Sequence, residues 1–217
     1  MEKGLVRYSR YTLLLLAMGV AVQSFRYAAV PWHIVLGVDD AIRGVMERVP
    51  LQFLTHAIVA PIALLVGPLQ FFPRLRSKYP RLHRWNGRLY VLACVVAGIA
   101  ALATAPYASG GPVAGLGFSL LAVSWLATTI GGWRAAVARK FDLHRVLMRF
   151  SYALTFAAVT LRIQLPIGFI FLGFHSYREM SVYLAYTSWI PNVIVVALYS
   201  LAMGWRGAPT TITAPQS

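Results

Sequence analysis

The chain has 217 residues, 59% of them hydrophobic and 12% charged, with a formal net charge of +14. Soluble domains carry about 25% charged residues, so this composition excludes a single water-soluble core and makes lipid the solvent for much of the chain. One cysteine, Cys94, excludes an intrachain disulfide framework, a thiolate cluster and covalent c-type haem attachment.

Six apolar runs are long enough to cross a bilayer: 11–30, 51–72, 88–107, 112–133, 150–174 and 188–205. Helix is the state lipid allows them, because an open strand leaves backbone groups unpaired. The prediction is an all-α membrane protein, a six-helix transmembrane bundle forming one domain over residues 1–217. The first run follows a basic start, Lys3, Arg7 and Arg10, and lacks a small-x-small cleavage pattern, so it reads as an uncleaved helix. Residues 31–50 are too polar to span and predict an external loop with a short amphipathic helix at the interface. The third run carries Ala93, Ala97, Ala101 and Ala105 at four-residue spacing, a packing stripe. The tail 207–217, rich in Thr, Pro and Ala, is predicted to be disordered.

Charge sets the orientation. With the N-terminus inside, fifteen of the 20 basic residues fall in cytoplasmic segments; only Arg26, Arg43, Arg48, Arg162 and Arg178 lie elsewhere. This predicts a multi-pass protein with both termini cytoplasmic. The basic clusters lie between apolar runs, where they meet anionic membrane lipid; nucleic acid is not expected as a partner.

One element recurs. Leu82-His83-Arg84-Trp85-Asn86-Gly87-Arg88-Leu89 precedes the third run, and Leu143-His144-Arg145-Val146-Leu147-Met148-Arg149-Phe150 precedes the fifth. Both read Leu-His-Arg-x-x-x-Arg-apolar, so helices two–three and four–five look like repeated hairpins. If the helices are neighbours, His83 and His144 face one another, and two such imidazoles suit the axial positions of a b haem. Gly87, one turn below His83, would admit a macrocycle. Arg84, Arg88, Arg145 and Arg149 would neutralise its propionates. The competing reading is interfacial: His, Arg and Trp at helix starts anchor the headgroup layer or bind lipid phosphate.

Arg162 sits mid-run in Leu161-Arg162-Ile163-Gln164-Leu165-Pro166, and an intramembrane arginine faces a bundle interior or a wet cavity. With Gln164, and with Gln70 in Gly67-Pro68-Leu69-Gln70, it is the expected contact for a quinone oxygen, a small anion or a headgroup. The alternative is a hydrogen bond to helix carbonyls. His56 is a weaker metal-ligand candidate, alone or with His33 and His175; an isolated structural role competes. All six acids lie outside the runs, which weakens proton-coupled transport and metal-dependent hydrolysis. Walker A, His-Glu-x-x-His and Gly-x-Gly-x-x-Gly patterns are absent. The leading expectation is therefore a b-haem redox protein with a quinone or small-molecule contact. The alternative is a non-enzymatic binding or transport protein for a lipid or small anion.

The residues His56, Gly67-Pro68-Leu69-Gln70-Phe71, Leu82-His83-Arg84 with Gly87-Arg88-Leu89-Tyr90, Gly117-Phe118, Trp125, His144-Arg145 with Met148-Arg149, and Leu161-Arg162 resemble the bacterial membrane-protein family of domain of unknown function 2306. The resemblance covers roughly 50–165. It implies a bacterial inner (plasma) membrane location and brings no established activity. A weaker likeness, to ascorbate-type dihaem b cytochromes, rests on histidines one helix apart. The chain departs from those cytochromes in having no histidine on its fourth helix, which favours a single haem over a two-haem relay.

Overall fold

The computed structural model describes the backbone of residues 2–25 and 39–206, with the side chains of 2–11, 13 and 203–206 not described. Expectations for 26–38, including His33, and for the tail 207–217 lie outside these residues. The described chain is helical: α1 (Glu2–Ser24), α2 (Asp40–Arg48), α3 (Pro50–Val66), α4 (Pro73–Lys78), α5 (Pro80–Thr104), α6 (Gly111–Val137), α7 (Phe141–Thr155), α8 (Ala157–Phe171), α9 (Tyr177–Thr187) and α10 (Ile190–Arg206). Short 3-10 turns, Gly67–Phe71 and Ala105–Tyr107, extend α3 and α5.

Five helical stretches are long and apolar enough to cross a membrane: Pro50–Phe71, Pro80–Tyr107, Gly111–Val137, Phe141–Phe171 and Tyr177–Ala202. The first expected span appears as a shorter apolar helix, Leu14–Ser24. Large side chains are turned outward along these stretches, among them Ile99, Leu116, Ile170 and Leu198, while the core is built largely of alanines such as Ala63, Ala97, Ala114 and Ala122. This inverts a water-soluble protein and suits a hydrocarbon solvent, where close helix approach replaces hydrophobic burial as the packing force. Ala93, Ala97 and Ala105 of the predicted stripe are buried.

The polar segment ahead of the second span holds α2, capped by Asp39, whose carboxylate accepts the Ala41 N–H at 2.8 Å. The other Asp39 oxygen accepts the Tyr177 N–H at 3.3 Å, so α2 is tied to the start of α9.

Two expected spans differ from their sequence reading. The run 150–174 is part of a longer stretch that breaks at Phe156, and the run 188–205 begins eleven residues early, at Tyr177, and breaks at Ser188. The first break carries neither Gly nor Pro. Thr155 donates its hydroxyl to the Ser151 carbonyl at 2.9 Å, a back-bond of the kind that bends helices. The second break precedes Pro191, which has no N–H for the Thr187 carbonyl.

The breaks set the arrangement. α7 packs on α6 and α10, while α8 turns away to α1 and α9; α9 in turn packs on α6. At the end opposite the basic loops the helices close a ring: α1 on α3, α3 on α5, α5 on α6, α6 on α9, α9 on α8, and α8 on α1.

Asn192 holds the crossover. Its amide nitrogen donates to the carbonyls of Ala153 at 3.3 Å and Ser188 at 3.1 Å, and its oxygen accepts the Thr160 hydroxyl at 3.1 Å. Gly67 marks another tight point, where a Cβ would stand 2.5 Å from the Tyr152 ring. Replacing Asn192 by leucine should therefore destabilise the protein by about 1–3 kcal/mol, because polar groups are left unpaired at the crossover. Heating in detergent followed by size-exclusion chromatography measures this. Ile194→Ala, at an exposed position, should leave the midpoint unchanged.

Candidate functional site

A buried hydrogen-bond chain crosses the middle of the bundle. Thr155 spends its hydroxyl proton on Ser151 O, so its oxygen accepts from Tyr90 O–H and Trp125 Nε1–H, both at 2.9 Å. Tyr90 then accepts from the Ser151 hydroxyl at 2.9 Å, and Ser151 accepts from Thr129 at 2.6 Å. Each hydroxyl donates once, so the proton order is set by the terminal carbonyl. The chain ties α5, α6 and α7 together and divides the interior into a histidine end and an opposite end.

At the opposite end the helical ring lines a half-open cavity of about 380 Å³. Its volume lies in the range of small-molecule sites. The cavity exists because α8 leaves α6 at the Phe156 break; Leu154, Thr155 and Ala157 at the break line it, facing Ala122 and Trp125 of α6. Ile42 and Val45 of α2 also border it. Arg162 and His56 lie in its wall. Arg162 donates from Nη1 to Ala158 O at 3.0 Å and from Nη2 to Ser24 Oγ at 2.9 Å, and Ser24 passes its proton to Val20 O at 2.8 Å. His56 Nδ1 meets Ala97 O at 3.0 Å. A carbonyl only accepts, so Nδ1 carries the proton, and in the neutral ring Nε2 is left as an acceptor. No carboxylate is found among the described lining residues, which disfavours a cationic ligand.

Ser109, Ser181 and Ser188 are further lining residues; their hydroxyls are buried without a hydrogen-bond partner and closed to a water-sized probe. Sequence reasoning passed over them. Serines are common in membrane helices, and only the ring of helices brings these three residues to one wall. Asn192 was missed for the same reason.

The histidine end is arranged differently. His144, Arg76 and Arg84 stand close enough to His83 to act on it electrostatically. His144 Nδ1 donates to Gly132 O at 2.9 Å, which orients its ring, while His83 Nδ1 is buried without a partner. A macrocycle between them would need the space over Gly87. That space is taken by Gln70: a Cβ at Gly87 would stand 3.3 Å from Gln70 Oε1, and Gln70 Nε2 donates to His83 O at 3.3 Å. The arginines also disperse. Arg88 lies 4.9 Å from the Trp85 ring, Arg149 5.3 Å from the Tyr199 ring, Arg145 pairs with Asp142, and Arg84 is exposed. As arranged, these residues do not fit a haem and its propionates.

Gln70 and Gln164 do not join Arg162 at the cavity. Gln164 Nε2 donates to Thr187 O at 3.1 Å, the carbonyl Pro191 leaves free, and its oxygen accepts the Thr187 hydroxyl. His175 is exposed, its N–H donating to Glu179 at 3.0 Å. Among the described residues no three His, Cys, Asp or Glu side chains are grouped to hold a metal ion.

The model of the family described as Predicted membrane protein (DUF2306) matches residues 53–200. No curated protein and no solved structure matches the chain. The matched stretch runs further than the residues 50–165 that carried the resemblance, into α10, and takes in His56, His83, His144, Arg162 and the crossover at Asn192. With well over half its length matched, the chain belongs to this family of predicted membrane proteins.

Proposed function

We propose that the protein binds, or carries within the membrane, a small molecule with an anionic or electron-rich oxygen head, held in the cavity beside Arg162. One observation carries this: Arg162 and His56, a guanidinium and an imidazole on different helices, line one cavity of about 380 Å³. Its volume falls in the range of small-molecule sites, and a substituted quinone ring or a medium-chain carboxylate suits it. Membrane lipid is then the solvent around the helices, and quinone or a small anion the occupant.

Two probes test this, octanoate and a short-tailed benzoquinone, titrated into the detergent-solubilised protein. Arg162→Leu should fold and insert, yet bind at least one probe about 10–100-fold more weakly, the loss expected for a charged hydrogen-bond donor. Arg162→Lys should recover only part of this, since an ammonium lacks the planar fork. Equal affinity in wild type and Arg162→Leu would sink the reading.

The repeat and the sidedness belong to the same proposal. We read α3–α5 and α6–α7 as two copies of one hairpin. In support, repeat-equivalent Tyr90 and Ser151, 61 positions apart, are hydrogen-bonded to each other, as residues near a local axis would be. Six spans with both termini cytoplasmic follow from the basic-residue asymmetry. Reporter fusions after Lys140 should read cytoplasmic and fusions at Asp40 external; the reverse at Lys140 would overturn the orientation.

A b haem between His83 and His144 is the second reading. The partnerless Nδ1 of His83 favours it, and the Gln70 carboxamide over Gly87 stands against it. Spectra of protein made with excess haem decide the matter. Low-spin bands that His83→Ala and His144→Ala each remove would establish the haem, and a colourless protein would end this reading.

A further inference from the structure

We infer that the cavity takes its ligand by a hydroxyl head, whose oxygen accepts from Arg162 and whose proton goes to His56 Nε2. This deepens the function proposed above and rests on it. His56 of α3 and Arg162 of α8 line the same cavity, and each keeps part of its surface open. They stand close enough to act on one another electrostatically.

Polarity assigns the two roles. A guanidinium carries five N–H donors and no acceptor, so Arg162 can only donate. Its bonds to Ala158 O and Ser24 Oγ hold the side chain in the wall. His56 is the opposite case. Its Nδ1–H goes to Ala97 O at 3.0 Å, which uses the one proton of the neutral ring and leaves Nε2 with a lone pair. Nε2 has no hydrogen-bond partner among the described residues and, unlike the Ser181 and Ser188 hydroxyls, is not sealed from a water-sized probe. Turning the ring to present a proton there would give up the bond to Ala97, a tie between α3 and α5.

The pair therefore asks a ligand for an acceptor and a donor side by side. A carboxylate satisfies Arg162 but sets an oxygen lone pair against Nε2. A quinone carbonyl has the same fault. An ammonium group could donate to His56, but Arg162 repels it and no carboxylate is found among the described lining residues. A hydroxyl answers both, since one oxygen accepts while its proton donates. Phe53, Phe118 and Trp125 line the same space, and aromatic rings pack well on such side chains. A phenol has this pattern, as does the hydroquinone form of a small quinone.

The test titrates three probes into the full chain in detergent: a short-tailed benzoquinone, its hydroquinone under argon, and octanoate. The variants are His56→Asn and Arg162→Leu. Asparagine places an amide N–H at the δ position, so it can keep the bond to Ala97 O while losing the ε acceptor. Wild type should bind the hydroquinone about three- to tenfold more tightly than the quinone, one hydrogen bond's worth. His56→Asn should abolish that preference and leave quinone affinity in place. Equal wild-type affinity for the two forms overturns the inference, and this comparison holds even if His56→Asn does not fold. A preference that His56→Asn retains also overturns it, as does octanoate binding more tightly than the hydroquinone. If Arg162→Leu still weakens binding in those cases, the proposed function survives. If no probe binds wild type, or Arg162→Leu changes nothing, the proposed function falls with the inference.

Discussion

The structure turns on one constraint: in hydrocarbon, a backbone carbonyl released from its helix must find another donor. Four departures from regular helix among the described residues meet that demand with a side chain. Pro68 has no N–H for Leu64 O, and the Tyr152 hydroxyl reaches it at 3.4 Å. At the 3-10 turn that follows α3, Asn86 donates to Val66 O at 2.9 Å. Pro191 releases Thr187 O, and Gln164 takes it. The breaks at Phe156 and Ser188 expose Ala153 O and Ser188 O, and Asn192 serves both. Water would supply such donors in a soluble protein; here each must be encoded, and each donor ties two helices together.

The cavity follows from these breaks. Were the stretch Phe141–Phe171 one straight helix, α8 would continue along α6 and fill the space. Instead α8 joins α1 and α9, and the ring closes around a void whose inner boundary includes Trp125 and Thr155 of the buried hydrogen-bond chain. That chain is saturated, each hydroxyl having a defined proton acceptor, and a filled polar network acts as structural glue.

The two ends of the bundle therefore differ in kind. At the histidine end, the charged groups are partnered locally or exposed: Arg88 lies over Trp85, Arg149 over Tyr199, and Arg145 beside Asp142. This is how a headgroup-facing surface is built, with aromatic rings and guanidinium groups sharing the interface. His83 is the exception, its Nδ1 buried and unspent beside His144. At the other end a guanidinium and an imidazole border one half-open cavity, and α2, strapped to α9 through Asp39, lies against it.

By itself the sequence determined the membrane solvent and the helical state, because these depend on local composition and on the length needed to cross hydrocarbon, while the bounds of several spans were set by the fold. It also singled out Arg162 and His56, since charged and titratable groups are rare and conspicuous in apolar runs. For Gln70 and Gln164 a polar side chain near a proline reads equally as a ligand contact or as a carbonyl partner, and only the fold shows which carbonyl lies within reach. For the four arginines a repeated motif places residues along a helix without saying what stands opposite. The break at Phe156 was hidden, having no Gly or Pro to announce it; a threonine back-bond and the distant Asn192 make it. Which hydroxyls find a partner was decided by tertiary structure alone, because a serine's role depends on the groups packed beside it and not on its neighbours in the chain.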